Sequence, residues 1–138
     1  MKKEYRLTLN ELKTLTQEVL ENFHNGVVVL RGDLAAGKTT LVKAFAKELG
    51  CSEDVTSPTF SLQQCYGEKI FHYDIYNHGL EHFMALGMLE ELDKEGLHFI
   101  EWGDDDLIEL LASVGIDVMV IDIKKISDKA REYKICTH

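Results

Sequence analysis

A glycine-rich stretch between residues 32 and 40 restricts the folds open to this chain, because it requires a buried strand before it and a helix after it. An apolar run at residues 27–30 precedes the stretch, and apolar side chains recur at helical spacing over residues 41–49. The stretch fits the pattern G-x-x-x-x-G-K-[ST] and consists of Gly32, Asp33, Leu34, Ala35, Ala36, Gly37, Lys38, Thr39 and Thr40. The sequence therefore predicts a strand, a phosphate-binding loop and a helix that begins near Lys38.

The residue types of this loop suit a nucleoside triphosphate. Glycine allows backbone N–H groups to approach and turn toward phosphate oxygens, and the helix start adds further N–H groups. Lys38 is expected to bind the β- and γ-phosphates and to serve catalysis, and the Thr39 hydroxyl is expected to bind the bridging Mg²⁺. We expect Thr40 to reach the α-phosphate. The whole stretch is thus predicted to bind ATP or ADP.

Charge and length limit the class of protein. The chain has 138 residues, which predicts a single domain over residues 1–138, and 24 acidic against 15 basic residues give a net charge of −9. An acidic protein repels a phosphate backbone, so DNA is not an expected partner. The basic side chains near the C-terminus are the one candidate patch for nucleic acid: Lys124, Lys125, Lys129, Arg131 and Lys134.

The three cysteines and the hydropathy pattern predict a cytoplasmic protein. Cys51, Cys65 and Cys136 are widely spaced and form no C-x-x-C, so neither a disulfide framework nor a zinc site is indicated. The N-terminus lacks the apolar segment of a signal peptide, and no run approaches the length of a membrane span. We therefore expect no membrane association.

Two acids at the ends of predicted strands are candidates for Mg²⁺ and for the attacking water. Residues 60–65 and 69–76 predict a β-hairpin with Asp74 near the end of its second strand. Residues 96–102 predict a compact apolar strand that ends in an acid, Glu101, as a Walker B strand does. The sequence does not decide which acid orients the water, and Asp74 could also be an ordinary surface residue.

Two further patterns have competing interpretations. The hydroxyl-rich segment at residues 55–60 is either an ordinary turn or a switch-like loop that offers Thr59 to the γ-phosphate. A string of His72, Asp74, His78 and His82 resembles a metal site. A glycine interrupts it, however, and it lacks the His-Glu-x-x-His spacing, so a transition-metal site is not favoured.

The predicted architecture is α/β, a P-loop NTPase-like three-layer fold. Its central sheet should be mainly parallel, with an antiparallel portion from the hairpin and from a C-terminal pair at residues 116–123 and 133–136. A short strand at residues 5–9 and an amphipathic helix that stops at Gly26 should precede the loop. Short helices broken at Gly87 and an acidic helix start at Asp104 are expected further on.

Four segments in this order resemble the bacterial TsaE family, formerly called YjeE: the loop at 32–40, residues 57–62, residues 72–76 and the pair Glu101-Trp102. The resemblance implies a small ATPase that uses ATP and Mg²⁺. It further implies a role in the N6-threonylcarbamoyl modification of adenosine 37 in tRNAs that read codons beginning with A. The expected partner is the heterodimer of TsaD and TsaB, which ATP hydrolysis would reset between turnovers, and tRNA would be reached only through that complex.

The resemblance also implies roles for residues. Lys38 would bind the phosphates, Thr39 and Glu101 would hold Mg²⁺, and Asp74 would have a metal-linked or catalytic role.

It implies a switch-like role for Thr59 and a place near the nucleotide base for Arg131. Trp102 would belong to the nucleotide site or to the surface that meets a partner.

The chain departs from the family pattern at three places. Ala35 replaces a common glycine and is expected to affect the mobility of the loop and its rate more than phosphate binding. Asn77-His78 stand where Arg-Leu is common, and Gly103 stands where proline is usual. We expect the last two changes to alter partner contacts.

Alternatives from other classes are a small-molecule P-loop kinase, a GTPase switch and a scaffold that binds nucleotide without hydrolysing it. Arg6, Arg31 and Arg131 are the only arginines, which argues against a kinase because kinases bring several to the transferred phosphate. The sequence Asp93 to Gly96 fits D-x-x-G, but the chain has no N-K-x-D for guanine. Few arginines also predict slow hydrolysis by the chain alone and activation by partners.

Overall fold

A computed structural model describes residues 2–33, 37–51, 63–67, 69–75, 84 and 87–137. The predicted segment at 55–60 lies outside these ranges, as do Leu34, Ala35, Ala36, Thr59, Asn77, His78 and His82. Within the ranges, no helix is both long and apolar enough to cross a membrane.

Strands and helices alternate along much of the chain. The strands are β1 (Lys2–Thr8), β2 (Gly26–Arg31), β3 (Gln63–Tyr66), β4 (Ile70–Asp74), β5 (Leu97–Glu101), β6 (Val118–Lys125) and β7 (Ala130–Thr137). The helices are α1 (Leu12–Asn22), which follows a 3₁₀ turn at Leu9–Glu11, then α2 (Lys38–Glu48), α3 (Met88–Leu92) and α4 (Asp105–Ser113).

The strands form one mixed sheet in the order β1-β7-β6-β2-β5-β4-β3. Parallel pairs occupy its centre, where β2 lies between β5 and β6 and β4 joins β5. Antiparallel pairs form both edges: the hairpin of β3 and β4 on one side, and β6, β7 and β1 on the other. The predicted α/β architecture is confirmed, with β1 longer than expected because it pairs along its whole length with β7.

Helices cover both faces of the sheet. Strand β2 is buried on both sides, since the side chains of residues 27–30 are fully inaccessible to solvent, and such continuous burial is typical of a central parallel strand. Helices α1 and α2 pack on the face that carries Val28 and Leu30, whereas α3 and α4 pack on the face that carries Val27 and Val29. The alternation of side chains along each strand thus decides which residues can meet α2.

Gly26 has a different role from the one predicted. Helix α1 ends at Asn22, and Gly26 is the first residue of β2, paired with Leu97. Its φ is 131°, and a Cβ atom there would lie 2.6 Å from the carbonyl oxygen of Asp117. The glycine is therefore required by the close approach of the chain at the start of β2, not by the end of a helix.

A buried histidine, His98, belongs to the face of the sheet covered by α3 and α4. Its ring stacks on Phe71 with centroids 4.4 Å apart. Its Nδ1 accepts from the Tyr73 hydroxyl at 2.8 Å, and its Nε2–H donates to the carbonyl of Lys94 at 2.8 Å. Burial lowers the pKa of His98 from its ordinary value of 6.5, so the folded protein holds it as the neutral tautomer.

Acid should destabilise the fold through His98. In the unfolded chain His98 binds a proton as the pH falls below 6.5. In the folded chain it binds the proton only at lower pH, because its pKa is lower there. The contribution of neutral His98 to the free energy of unfolding is therefore fully present above pH 6.5. It is lost as the pH falls, by at most about 1.4 kcal/mol per pH unit. Urea unfolding between pH 7.5 and 5.5 should show a steeper loss for the wild type than for His98→Gln. Equal slopes would show that His98 does not cause it.

Candidate active site

The carboxyl ends of three central strands bring predicted site residues together. Strand β2 leads directly into Gly32 and Asp33, β5 ends at Glu101, and β4 ends at Asp74. In the parallel register Glu101 is paired with Leu30 on one side and with Asp74 on the other. Because parallel strands all end on the same side of the sheet, Gly32, Asp33 and both acids lie together, in the place where ligand sites commonly occur in α/β sheets.

The start of α2 has the geometry that the glycine-rich pattern predicts. Gly37 precedes the helix with φ 109° and ψ 22°, a conformation that favours glycine. Its carbonyl accepts the Leu41 N–H at 3.0 Å, so the helical hydrogen bonds begin immediately after the loop. Lys38 is the first residue of α2, as predicted, and the N–H groups of this first turn have no partner within the helix.

Lys38 is buried, with 5% of its surface exposed. Its ammonium donates to the carbonyl oxygens of Gly32 at 2.7 Å and Asp33 at 3.0 Å. Burial lowers the pKa of Lys38, and the nearby charges of Glu101, Asp74 and Asp33 oppose that effect. A partly desolvated ammonium of this kind attracts a phosphate more strongly than an exposed one does.

Oxygen atoms from two elements meet beside Lys38. The Thr39 hydroxyl donates to Oε2 of Glu101 at 3.1 Å, and Glu101 is only 4% exposed. Asp74, half-buried, is its register partner on β4. Hydroxyl and carboxylate oxygens are the ligands that Mg²⁺ prefers, usually one or two carboxylates completed by phosphates and water. This donor set fits a nucleotide-bound Mg²⁺, and among the described residues no three His, Cys, Asp or Glu side chains form a metal cage.

Trp102 lies beside Lys38, and its expected place at a nucleotide site or at a partner surface stays a prediction. The Lys38 ammonium sits 3.9 Å from the centroid of its ring, a cation–π contact. Its φ is 70°, and among the described residues it is the only non-glycine residue with positive φ. That conformation costs about 1–3 kcal/mol and is concentrated at functional sites. Sequence patterns do not reveal such strain.

His72 is the residue whose place the sequence did not predict. It is fully buried, and its Nε2 lies 2.5 Å from Oε2 of Glu101. The sequence analysis considered His72 only as part of a transition-metal site, which it did not favour. A usable signal was its spacing of two from Asp74, which puts both side chains on the same face of β4.

Two other predicted site residues are Thr40 and Arg131. Thr40 is exposed on α2, and its contact with an α-phosphate stays a prediction. Arg131 pairs with Lys125 at the carboxyl end of β6, and its Nη1 donates to the carbonyls of Ser127 at 2.9 Å and Ala130 at 3.1 Å. Its role near the base also stays a prediction.

Gly103 is buried between β2 and α4. A Cβ atom there would lie 2.8 Å from Val29 and 3.1 Å from Leu107. Its carbonyl accepts from Nε of Arg31 at 3.2 Å, and the same guanidinium binds Asp105 through Nη2 at 2.7 Å. This departure from the family pattern therefore lies in internal packing, and its effect on partner contacts is an untested expectation.

Fold and site together define an α/β protein with a P-loop NTPase-like fold. Its backbone is similar to the crystal structure of Bacillus subtilis YdiB, with a TM-score of 0.69 and 27% identity over 99% of this chain and 85% of that one. Residues 7–133 match the family model described as threonylcarbamoyl adenosine biosynthesis protein TsaE. The chain belongs to the TsaE family.

Two relatives carry the name tRNA threonylcarbamoyladenosine biosynthesis protein TsaE. The Treponema pallidum protein is 38% identical over 112 residues, which span 77% of this chain and 82% of that protein. The Bacillus subtilis protein is 37% identical over 109 residues, which span 77% of this chain and 66% of that protein. Both matches support the family assignment made from the motifs.

Proposed function

We propose that this protein is a Mg²⁺-dependent ATPase that serves the threonylcarbamoylation of tRNA adenosine 37 by acting on the TsaD–TsaB complex. Membership of the TsaE family supports the pathway, since the family and its named relatives are threonylcarbamoyladenosine biosynthesis proteins. The hydrolytic activity and the partner are the parts that this proposal adds.

The observation that carries the ATPase proposal is the convergence of Lys38, Thr39, Glu101 and Asp74 at the ends of three strands. The loop N–H groups and Lys38 would hold the β- and γ-phosphates. Thr39 and one or both acids would hold Mg²⁺, which neutralises the charge that develops on the phosphate oxygens. An acid not engaged by the metal would orient the attacking water.

The arginines of the chain explain why the partner complex should be needed. The Arg31 guanidinium is already bound by Asp105 and by the carbonyl of Gly103. Arg131 donates to carbonyls of its own turn, and Arg6 is exposed on the edge strand β1. A positive charge supplied in trans commonly accelerates P-loop hydrolysis by about 10³–10⁵. TsaD–TsaB would supply or induce such stabilisation, and tRNA would be met only through that complex.

Phosphate release measured with and without the TsaD–TsaB heterodimer tests the proposal. The isolated chain should hydrolyse ATP slowly, the heterodimer should raise the rate at least about 10-fold, and chelation of Mg²⁺ should abolish it. Nucleotide binding without stimulated release would favour a scaffold instead. Fast release by the isolated chain would contradict the role assigned to the partners.

A further inference from the structure

His72 contacts the acid on which the proposed metal site depends. It lies on β4 two residues before Asp74, and its side chain is fully buried while that of Glu101 is 5% exposed. Oε2 of Glu101 receives two donors, the Thr39 hydroxyl at 3.1 Å and the His72 ring at 2.5 Å. The carboxylate is therefore held from two sides, by α2 and by β4.

The ring of His72 is itself held from behind. Its Nδ1 lies 3.4 Å from the Tyr66 hydroxyl, which donates to Oε1 of Gln64 at 2.6 Å. The rings of Tyr66 and His72 are 6.1 Å apart and tilted by 43°. Because Nε2 faces a carboxylate oxygen, Nε2 must carry the proton that forms this bond. A polar chain thus runs from Gln64 on the edge strand to Glu101 at the site.

The geometry points to His72 as a positioning residue that orients Glu101 toward Mg²⁺ and is not itself a metal ligand. The inference rests on the proposed function, because it assumes that Glu101 holds the metal. Outer hydrogen bonds to a ligating carboxylate fix its orientation and typically change metal affinity or activity by 10–100-fold when lost. Without His72, the Thr39 bond would be the one that Glu101 keeps among the described residues, and the carboxylate would leave its orientation more often.

Two substitutions of matched size separate orientation from packing. His72→Leu fills the ring's space without a donor, whereas His72→Gln keeps an N–H near the position of Nε2. The free Mg²⁺ concentration that half-maximally strengthens binding of a non-hydrolysable ATP analogue is measured by calorimetry with the full chain. It should rise at least about 10-fold in His72→Leu and return to within about 3-fold of wild type in His72→Gln. Affinity for the analogue without Mg²⁺ should change less than about 3-fold in both.

His98 offers a control of the same type on the other face of the sheet. It is as deeply buried as His72, but its hydrogen bonds go to Tyr73 and to the carbonyl of Lys94, and its ring stacks on Phe71, on the face of the sheet away from α2. His98→Leu should lower the free energy of unfolding and leave the Mg²⁺ requirement within about 2-fold of wild type. If the Mg²⁺ requirement rose equally in His98→Leu and His72→Leu, the effect would be one of general destabilisation and the inference would be overturned.

A double substitution shows whether His72 acts through Glu101. In a Glu101→Ala background, His72→Leu should add no further change to the Mg²⁺ requirement, because no side chain remains at position 101 for His72 to orient. A full additional effect there, or a wild-type requirement in His72→Leu alone, would refute the positioning role. If His72→Leu does not fold, His72→Asn replaces it, since its shorter amide cannot reach Glu101. A wild type that shows no Mg²⁺-dependent binding would instead count against the proposed function.

Discussion

Replacing Lys38 with alanine should weaken ATP binding by at least about 100-fold and abolish measurable turnover. The ammonium is 5% exposed and already donates to the carbonyls of Gly32 and Asp33, so a bound phosphate meets a charge that has lost much of its water. Truncating one partner of a buried charged pair costs about 2–5 kcal/mol, and 100-fold in affinity corresponds to about 2.7 kcal/mol. Calorimetric titration with a non-hydrolysable analogue measures the loss directly.

Lys47→Ala is the matched control for this experiment. Lys47 is an exposed lysine near the end of the same helix, so its removal changes the net charge equally without reaching the loop. Its affinity for the analogue should stay within about 2-fold of wild type. Thermal unfolding of both variants separates loss of binding from loss of fold. Unchanged hydrolysis in a folded Lys38→Ala protein would remove the loop from consideration as the nucleotide site.

Replacing Glu101 with glutamine should reduce phosphate release at least about 100-fold while nucleotide binding persists. Lost catalytic carboxylates commonly cost 10²–10⁴-fold, and the buried position of Glu101 beside Thr39 leaves water little access to compensate. Glutamine preserves the volume of the side chain and can still accept the bonds from Thr39 and His72. The expected loss is therefore one of charge. Single-turnover phosphate release together with analogue binding measures the two effects separately.

Glu109→Gln provides the comparison for Glu101→Gln. Glu109 is an exposed acid on α4, and its replacement should leave turnover unchanged within about 2-fold. Normal hydrolysis by Glu101→Gln would show that the Walker B assignment is wrong. Asp74→Asn, measured alongside, identifies the acid that orients the water. Replacing the acid that acts on water should lower the rate constant at saturating Mg²⁺. Replacing an acid that only binds the metal should mainly raise the Mg²⁺ concentration required.

The elements around the loop were predicted well because their signals are contiguous. The apolar run before Gly32 and the helical spacing after Lys38 place β2 and α2 within a few residues of their observed bounds. The prediction that Gly26 ends the helix was wrong, because its role depends on a contact with a residue far along the chain. A glycine after an amphipathic helix resembles a helix stop, and only the packed structure shows the Asp117 carbonyl 2.6 Å from where its Cβ would be.

Glu101 and His72 illustrate the same division within the site. An acid that ends an apolar strand is recognisable from the sequence, and Glu101 was recognised. Its contacts join residues that are 62 and 29 positions apart, Thr39 and His72. The periodicity of apolar residues does not predict which strand pairs with β4. For that reason, sequence reasoning placed His72 only in an unfavoured metal site.

The amino-acid order by itself predicted the local chemistry of this protein: a phosphate-binding loop, an ammonium at the start of a helix, and acids at the ends of strands. Backbone propensity and side-chain periodicity act over a few residues, so they are readable along the chain. The packing of β4 against β5 decided that Asp74 and Glu101 are neighbours, that His72 faces Glu101 and that His98 does not. Strand order and register depend on burial summed over the whole sheet, so only the tertiary structure could decide them.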